Sequence, residues 1–325
     1  MPREVMYAEA IGEAIAEEMQ RDPAVVYYGQ NMAMTEKDPL LRTFGRNRVR
    51  ITPVSETAQI GMAIGAALAG LRPIVELWMT DFMLVAMDQV INQAPRLRYM
   101  SGGQVKVPLV LKAGYGFTAG WAGQHSNCYY NLFLGVPGLK VAIPSTPYDA
   151  KGLMKAAIRD DNPVVYLHHW NLTLIKGEIS EEDYVVPFGV ADVKREGTDV
   201  TVVATGWMVH RSLSAAEQLA REGISVEVVD PRTLAPLDIQ TILNSVKKTS
   251  RLVLVDQSPK YASASSVIAA AVAEEGFHLL KAPIRQVTGL EATIPYSKPM
   301  EEYVIPNEER IVQAVKEVLT ERAVA

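Results

Sequence analysis

Apolar positions along the chain recur with two periods, and the periods alternate. Residues 7–22 carry Ile11, Ala14, Ile15 and Met19 at helical spacing, and the continuous run Val25-Val26-Tyr27-Tyr28 behind them ends at Gly29. That order predicts an amphipathic helix followed by a buried strand. From 30 to 47 the pattern breaks into a loop with a short helical piece over 39–43, as functional loops often do. Next come a strand over 49–53, a helix over 56–69 with Ser55 as its expected N-cap, a strand over 73–77, one helix over 81–100 and a strand over 107–112. A glycine-rich loop, 114–123, leads to a helix over 126–132, a strand over 139–143, a helix over 147–159 and a strand over 164–168. Strands joined by helices in this rhythm predict a parallel sheet covered on both faces.

A charged stretch over 176–183, followed by Val185-Val186-Pro187 and then by 194–198, interrupts the alternation and marks a linker. Beyond it, strands over 200–204, 225–230, 252–256 and 284–287 alternate with helices over 207–222, 238–247, 262–274 and 307–320. The expected architecture is α/β with two domains, 1–185 and 186–325, each a mainly parallel sheet flanked by helices. A length of 325 residues suits two domains, and 48% hydrophobic with 21% charged residues is a globular balance. The net charge of −5 is spread without long runs of one sign, which argues against a nucleic-acid footprint. The longest apolar stretches, such as 60–71, reach only half of a ~20-residue membrane span, so no membrane partner is expected. The start, Met1-Pro2-Arg3-Glu4, lacks a secretory pattern, and a cytoplasmic location is the expectation. The single cysteine, Cys128, excludes an internal disulfide and a cysteine-only metal site.

The densest chemical signal is Pro53-Val54-Ser55-Glu56-Thr57-Ala58-Gln59-Ile60-Gly61-Met62-Ala63-Ile64-Gly65, a lone carboxylate at the start of an apolar helix with small residues on one face. Spacing alone leaves two readings for Glu56. It is a first-turn acid worth ~0.3–1 kcal/mol against the helix dipole, or it is a proton-managing group. Phe82 is open in the same way, as a core aromatic or as a packing surface for a ligand. His125 follows the glycine-rich loop between two polar residues, which suits a proton donor or an exposed loop. His168 and His169 close a strand beside Trp170, either lining an entrance or exposed; His210 and His278 sit on predicted helices. No histidine pair stands at a zinc-like spacing with an acid.

The Glu56-Gly61-Gly65 spacing resembles the thiamine-diphosphate signature. Further segments are similar to one family, the β subunits of pyruvate, branched-chain 2-oxo acid and acetoin dehydrogenases, members of the transketolase-like superfamily. They include Leu71-Arg72-Pro73-Ile74-Val75-Glu76, Met87-Asp88-Gln89-Val90-Ile91-Asn92-Gln93-Ala94, Gly123-Gln124-His125-Ser126, Val136-Pro137-Gly138-Leu139-Lys140-Val141 and Asp230-Pro231-Arg232-Thr233-Leu234. The resemblance implies thiamine diphosphate as cofactor, with a glutamate on N1′ of the aminopyrimidine (Glu56), an aromatic packed on that ring (Phe82), Gly29 and Gln30 beside it, and a histidine that meets substrate and lipoyl arm (His125). Carboxyl groups in apolar sites exchange protons near neutral pH because desolvation disfavours their charge. It also implies a potassium site made of the backbone carbonyl oxygens of Leu109, Ala157, Ile158, Asp160 and Asn162.

No Gly-Asp dipeptide occurs in the chain, so the superfamily's magnesium- and diphosphate-holding signature is absent. That absence implies a separate α subunit holding Mg2+, and an α2β2 assembly. The family reading is decarboxylation of a 2-oxo acid, or cleavage of acetoin, with acyl transfer to a lipoyl carrier on an acyltransferase core. Departures keep an αβ carboligase, acyloin-forming or transketolase-like, as the alternative. Gly29-Gln30-Asn31 replaces a glycine followed by acids, and an amide does not carry a proton as an acid does. The following loop is shorter. Asp256-Gln257-Ser258 and Tyr261-Ala262-Ser263-Ala264 also differ, in the domain where relatives dock their acyltransferase. A noncatalytic scaffold is the third reading, opposed by Glu56, Phe82 and His125 standing together.

Overall fold

A computed structural model describes residues 2–30, 38–116 and 119–321. The expectations for Asn31 and for the shortened loop lie outside these residues. The chain forms two units, the first made of 1–115 with 132–188 and the second of 116–131 with 189–325. The glycine-rich loop and His125 therefore belong to the second unit.

In the first unit, strand β1 (Arg3–Met6) leads into helix α1 (Tyr7–Arg21), strand β2 (Val25–Gln30), helix α2 (Pro39–Arg48), strand β3 (Val49–Thr52), helix α3 (Glu56–Leu68) and strand β4 (Arg72–Met79). Helix α4 (Thr80–Met83), helix α5 (Leu97–Met100), strand β5 (Val110–Tyr115), helix α6 (Asn131–Leu134, beginning in the second unit), strand β6 (Lys140–Ala142), helix α7 (Pro147–Arg159), strand β7 (Val164–His169) and strand β8 (Lys176–Ile179) follow. Six strands run parallel in the order β6-β7-β5-β4-β2-β3. Every residue of β2, β5 and β7 is buried, including Lys112 in β5 and His168 and His169 in β7, and each strand opens on an apolar run. The α1 stripe of Ala10, Ile11, Ala14, Ile15 and Met19 is buried as its spacing predicts. Asp38 caps α2 through Leu40 N and Leu41 N, and Thr146 caps α7 through Asp149 N, each with proline at the first helical position.

Four expectations change here. The helix expected over 126–132 is absent as such: a 3-10 turn at Ala122–Gln124 precedes non-helical chain, and only α6, from Asn131, is helical. Residues 81–100 are not one helix but α4, a 3-10 turn at Leu84–Ala86, a π-helical turn at Asp88–Gln93 and α5. Pro95 lacks the N–H that a continuous helix needs, and the wider turn before it ends on Ala94 N to Gln89 O at 3.0 Å. Part of the charged stretch taken as linker is β8, paired antiparallel with β1 and buried through Ile179 against Val5 and Ala10. Ser55 occupies the N-cap position of α3, but its side chain makes no capping bond.

In the second unit, strand β9 (Asp192–Arg195), strand β10 (Val200–Ala204), helix α8 (Trp207–Ala220), strand β11 (Val226–Asp230), strand β12 (Thr233–Ala235), helix α9 (Ile239–Thr249), strand β13 (Leu252–Pro259), helix α10 (Ala264–Gly276), strand β14 (Arg285–Gly289), helix α11 (Lys298–Val304) and helix α12 (Glu308–Thr320) follow one another. The sheet order is β14-β13-β10-β11-β9, parallel except for the edge strand β9. Apolar clusters cover both faces, one built with α8 and α12 and one with α9 and α10. Among the described residues no helix is long and apolar enough to cross a membrane.

Candidate active site

In the first unit the carboxyl end of β2 and the amino end of α3 are tied together by side-chain amides. Glu56, the first residue of α3, is 8% exposed, and its Oε1 accepts a hydrogen bond of 2.9 Å from Nε2 of Gln30, the last residue of β2. One turn along, Gln59 Nε2 donates to the carbonyl oxygens of Tyr28 at 3.0 Å and Glu76 at 3.3 Å, fixing α3 against β2 and β4. Thr52 Oγ1 closes the same corner on the carbonyl of Gly29 at 3.2 Å. Glu56 Oε2 has no hydrogen-bond partner among the described residues. A nearly buried carboxylate with one oxygen held by a neutral donor and the other unclaimed can exchange a proton with a ligand atom brought to it.

Phe82 lies half-buried on α4. The neighbouring turn is joined to α3 through Thr57 Oγ1, which donates to Val85 O at 2.8 Å. The π-helical turn passes close to α3 at Gly61, where a Cβ would meet Gln89 Cγ in ordinary contact at 3.9 Å. The sequence reading missed Gln59 as the residue that seats α3. Its only signal was an amide three positions after an acid in an otherwise apolar helix.

His125 is in the second unit, half-buried at the end of a 3-10 turn (Ala122–Gln124), with its ring edge-on to Trp121 at 6.0 Å between centroids. The structure thus brings Glu56, Gln30 and Gly29 to one corner, with Phe82 on an adjoining element, while His125 stands on separate supports.

His168 and His169 are 7% and 0% exposed, so the exposed reading is wrong for both. Alternation along β7 turns them to opposite sheet faces. His169 packs edge-on against Tyr115, and its Nδ1 accepts from Asn171 N at 3.1 Å. His168 lines a cavity of about 340 Å3 with Tyr7, Tyr27, Glu76, Lys112 and Trp170. Lys112 Nζ meets both Glu76 oxygens there, at 2.6 and 2.7 Å. Burial, and next the Lys112 charge, hold the His168 imidazole well below its ordinary pKa. Tyr27 is one residue from Tyr28 and three from Gln30, so this cavity opens on the sheet face away from Gln30.

Of the five backbone oxygens expected to hold potassium, four already have donors. Leu109 O accepts from Val164 N at 2.8 Å and Ala157 O from Asp160 N at 3.3 Å. Arg72 donates from Nε to Ile158 O at 2.9 Å and from Nη2 to Asp160 O at 2.6 Å. Asn162 Oδ1 accepts from Arg98 Nη1 at 2.7 Å. An ion could use only the second lone pairs of those four backbone oxygens. Among the described residues no group of three or more His, Cys, Asp or Glu side chains could hold a metal.

Comparison with known proteins adds the lineage. Residues 3–173 match the family described as transketolase, pyrimidine binding domain, and residues 189–311 match transketolase, C-terminal domain. The chain is similar to the acetoin:2,6-dichlorophenolindophenol oxidoreductase subunit beta of Cupriavidus necator, at 44% identity over 98% of each chain. It is 42% identical to the 2-oxoisovalerate dehydrogenase subunit beta of Bacillus subtilis, over 96% of this chain and 98% of that one. It is also 42% identical to the pyruvate dehydrogenase E1 component subunit beta-1, mitochondrial, of Arabidopsis thaliana, over 97% and 89%. A solved chain described as split gene transketolase, inactive beta4 tetramer, shares the fold with a TM-score of 0.82 at 22% identity, covering 98% of this chain and 99% of that chain. Two family domains in sequence and near-full-length identity of 42–44% to such subunits place the chain in the family of β subunits of 2-oxo acid and acetoin dehydrogenase-type enzymes.

Proposed function

We propose that the chain is the β half of a thiamine-diphosphate enzyme that decarboxylates a 2-oxo acid, or cleaves acetoin, and passes the acyl group to a lipoyl carrier. The observation that carries the reading is the buried Glu56 carboxylate, held on one side by Gln30 and, among the described residues, unclaimed on the other. Thiamine diphosphate, when bound, supplies a nucleophilic carbon and a sink for the electrons released with CO2. The residues present fit its aminopyrimidine end. Glu56 Oε2 would meet N1′ and move a proton there, Gln30 would keep the carboxylate aimed without taking the proton itself, and Phe82 would give the ring a surface to pack on. Gly29 would let the backbone pass close beside it. His125 would donate a proton to, or orient, the group that receives the acyl unit.

The diphosphate end is not provided for, because the chain holds no Gly-Asp dipeptide and no acidic cluster suited to magnesium among the described residues. An α subunit would supply Mg2+ and that half of the site, in an α2β2 tetramer, with a lipoyl acyltransferase as further partner. The relatives' names favour the dehydrogenase reading over a free-standing carboligase. The test is reconstitution with the α subunit. Oxidation of a 2-oxo acid or acetoin, followed with dichlorophenolindophenol, should require both subunits, thiamine diphosphate and Mg2+, and the pair should acylate a lipoyl domain. Full turnover by this chain alone, or carboligation with no lipoyl acylation, would overturn the assignment.

A further inference from the structure

The segment Asp256-Gln257-Ser258, near the end of β13, departs from the family pattern in a domain expected to carry a docking surface, yet its three residues are 0%, 5% and 1% exposed. They face inward, onto the loop that bears His125. Asp256 Oδ1 accepts the Tyr130 hydroxyl hydrogen bond, together with Ser258 N and Ser258 Oγ, each at 2.9 Å. Its Oδ2 accepts Ser265 N at 2.9 Å at the start of α10. Burial pushes this carboxyl above its ordinary pKa, and four donors oppose the shift. Gln257 Nε2 donates to Gly116 O at 3.3 Å, and Gly116 N donates to Asn127 O at 3.3 Å. The neck of the loop, Gly116 with Asn127, is thus pinned from β13, and Tyr130 pins the chain three residues further on.

The loop's far end is held as well. Asn127 Nδ2 donates to Gly123 O at 2.6 Å, bracing the turn that ends at His125. Gly123 sits where a Cβ would come to 2.2 Å from Thr293 Cγ2, and Gly120 N points at the Glu301 carboxylate at 3.3–3.4 Å. All of these groups lie within the second unit.

We propose that Asp256, acting through Tyr130, and Gln257, acting through the Gly116 carbonyl, are positioning residues that set where His125 stands. The inference rests on the reading of His125 given under Proposed function. Neither residue meets reacting atoms; each acts by fixing the loop neck, and small displacements of a group in the chemistry cost up to ~100-fold in rate.

A double-mutant cycle on the assembled αβ enzyme tests it, with Tyr130→Phe, His125→Ala and the pair. Decarboxylation is read with an artificial electron acceptor and acyl transfer with a lipoyl domain. Tyr130→Phe should slow acyl transfer by about 10–100-fold and decarboxylation much less, and it should cost nothing further in the His125→Ala background. A loss of the same size in that background, or no loss in the single variant, overturns the proposal while leaving the role of His125 intact. If His125→Ala spares acyl transfer, or slows both steps alike, the role of His125 fails and the proposal with it. Should Tyr130→Phe not assemble, Gln257→Ala runs the same cycle with the same outcomes.

Discussion

Gln30 gives its amide hydrogen to Glu56 at 2.9 Å, and an amide there steers the carboxylate but cannot share its proton. Gln30→Glu would set two carboxyl groups within hydrogen-bond distance, where both cannot ionise independently. The acid limb of the pH–rate profile should then move upward, with far less loss at its optimum than Glu56→Gln produces. An unchanged profile would mean that residue 30 does not sense the proton on Glu56. His168 offers a pH test of stability rather than rate. Its folded pKa lies below the unfolded value near 6.5, so the native state binds fewer protons than the unfolded one. The protein should keep its full stability above about pH 6.5 and lose up to ~1.4 kcal/mol per pH unit below it, until the folded imidazole titrates. His168→Phe should flatten the fall of Tm between neutral pH and pH 5, and a slope equal to wild type would contradict this origin.

Between elements, α1 and α7 are joined by ion pairs that neither helix could satisfy alone. Glu18, 2% exposed at its side chain, accepts two hydrogen bonds from Arg159, at 3.0 Å from Nε and 2.6 Å from Nη2. Lys151 and Lys155 both reach Glu17, at 2.6 and 2.5 Å. Arg159→Ala leaves Glu18 buried with Arg21, at 3.6 Å, as its remaining cation among the described residues, so a loss of about 3 kcal/mol is expected from denaturant unfolding. Removing both charges with Glu18→Met and Arg159→Met should cost less than the single change, and a larger loss would contradict the account. Most elements were readable in advance because each carried a local signal, such as the apolar stripe of α1 and the apolar run that opens β2; the caps Asp38, Thr146, Asp238, Ser263 and Asn307 emerged only with the structure, while the one cap expected, Ser55, makes no capping bond. Where signals conflicted the reading failed. Periodicity across 81–100 outweighed Pro95, and the charges of 176–183 hid a strand whose partner, β1, lies at the opposite end of the first unit's sequence.

Across the whole molecule, parallel β/α architecture followed from alternation, but the grouping of 116–131 with the second unit did not. Hydrophobic periodicity states what an element buries and not which domain receives it. The same limit applied to the candidate site. Glu56 and Gln30 were identifiable from their motifs, whereas Gln59, and the hydrogen bond by which Gln30 holds Glu56, became visible only with β2, β4 and α3 in place. The absent Gly-Asp dipeptide makes a further demand at this scale, since half of a cofactor site should bind weakly. The isolated chain should show little stabilisation by thiamine diphosphate with Mg2+, and the αβ assembly a clear rise in Tm. The central claim rests on Glu56, and turnover of the assembled enzyme carrying Glu56→Gln tests it most directly. The account predicts a fall of at least ~10²–10⁴-fold with assembly and Tm retained; near-normal turnover would contradict it.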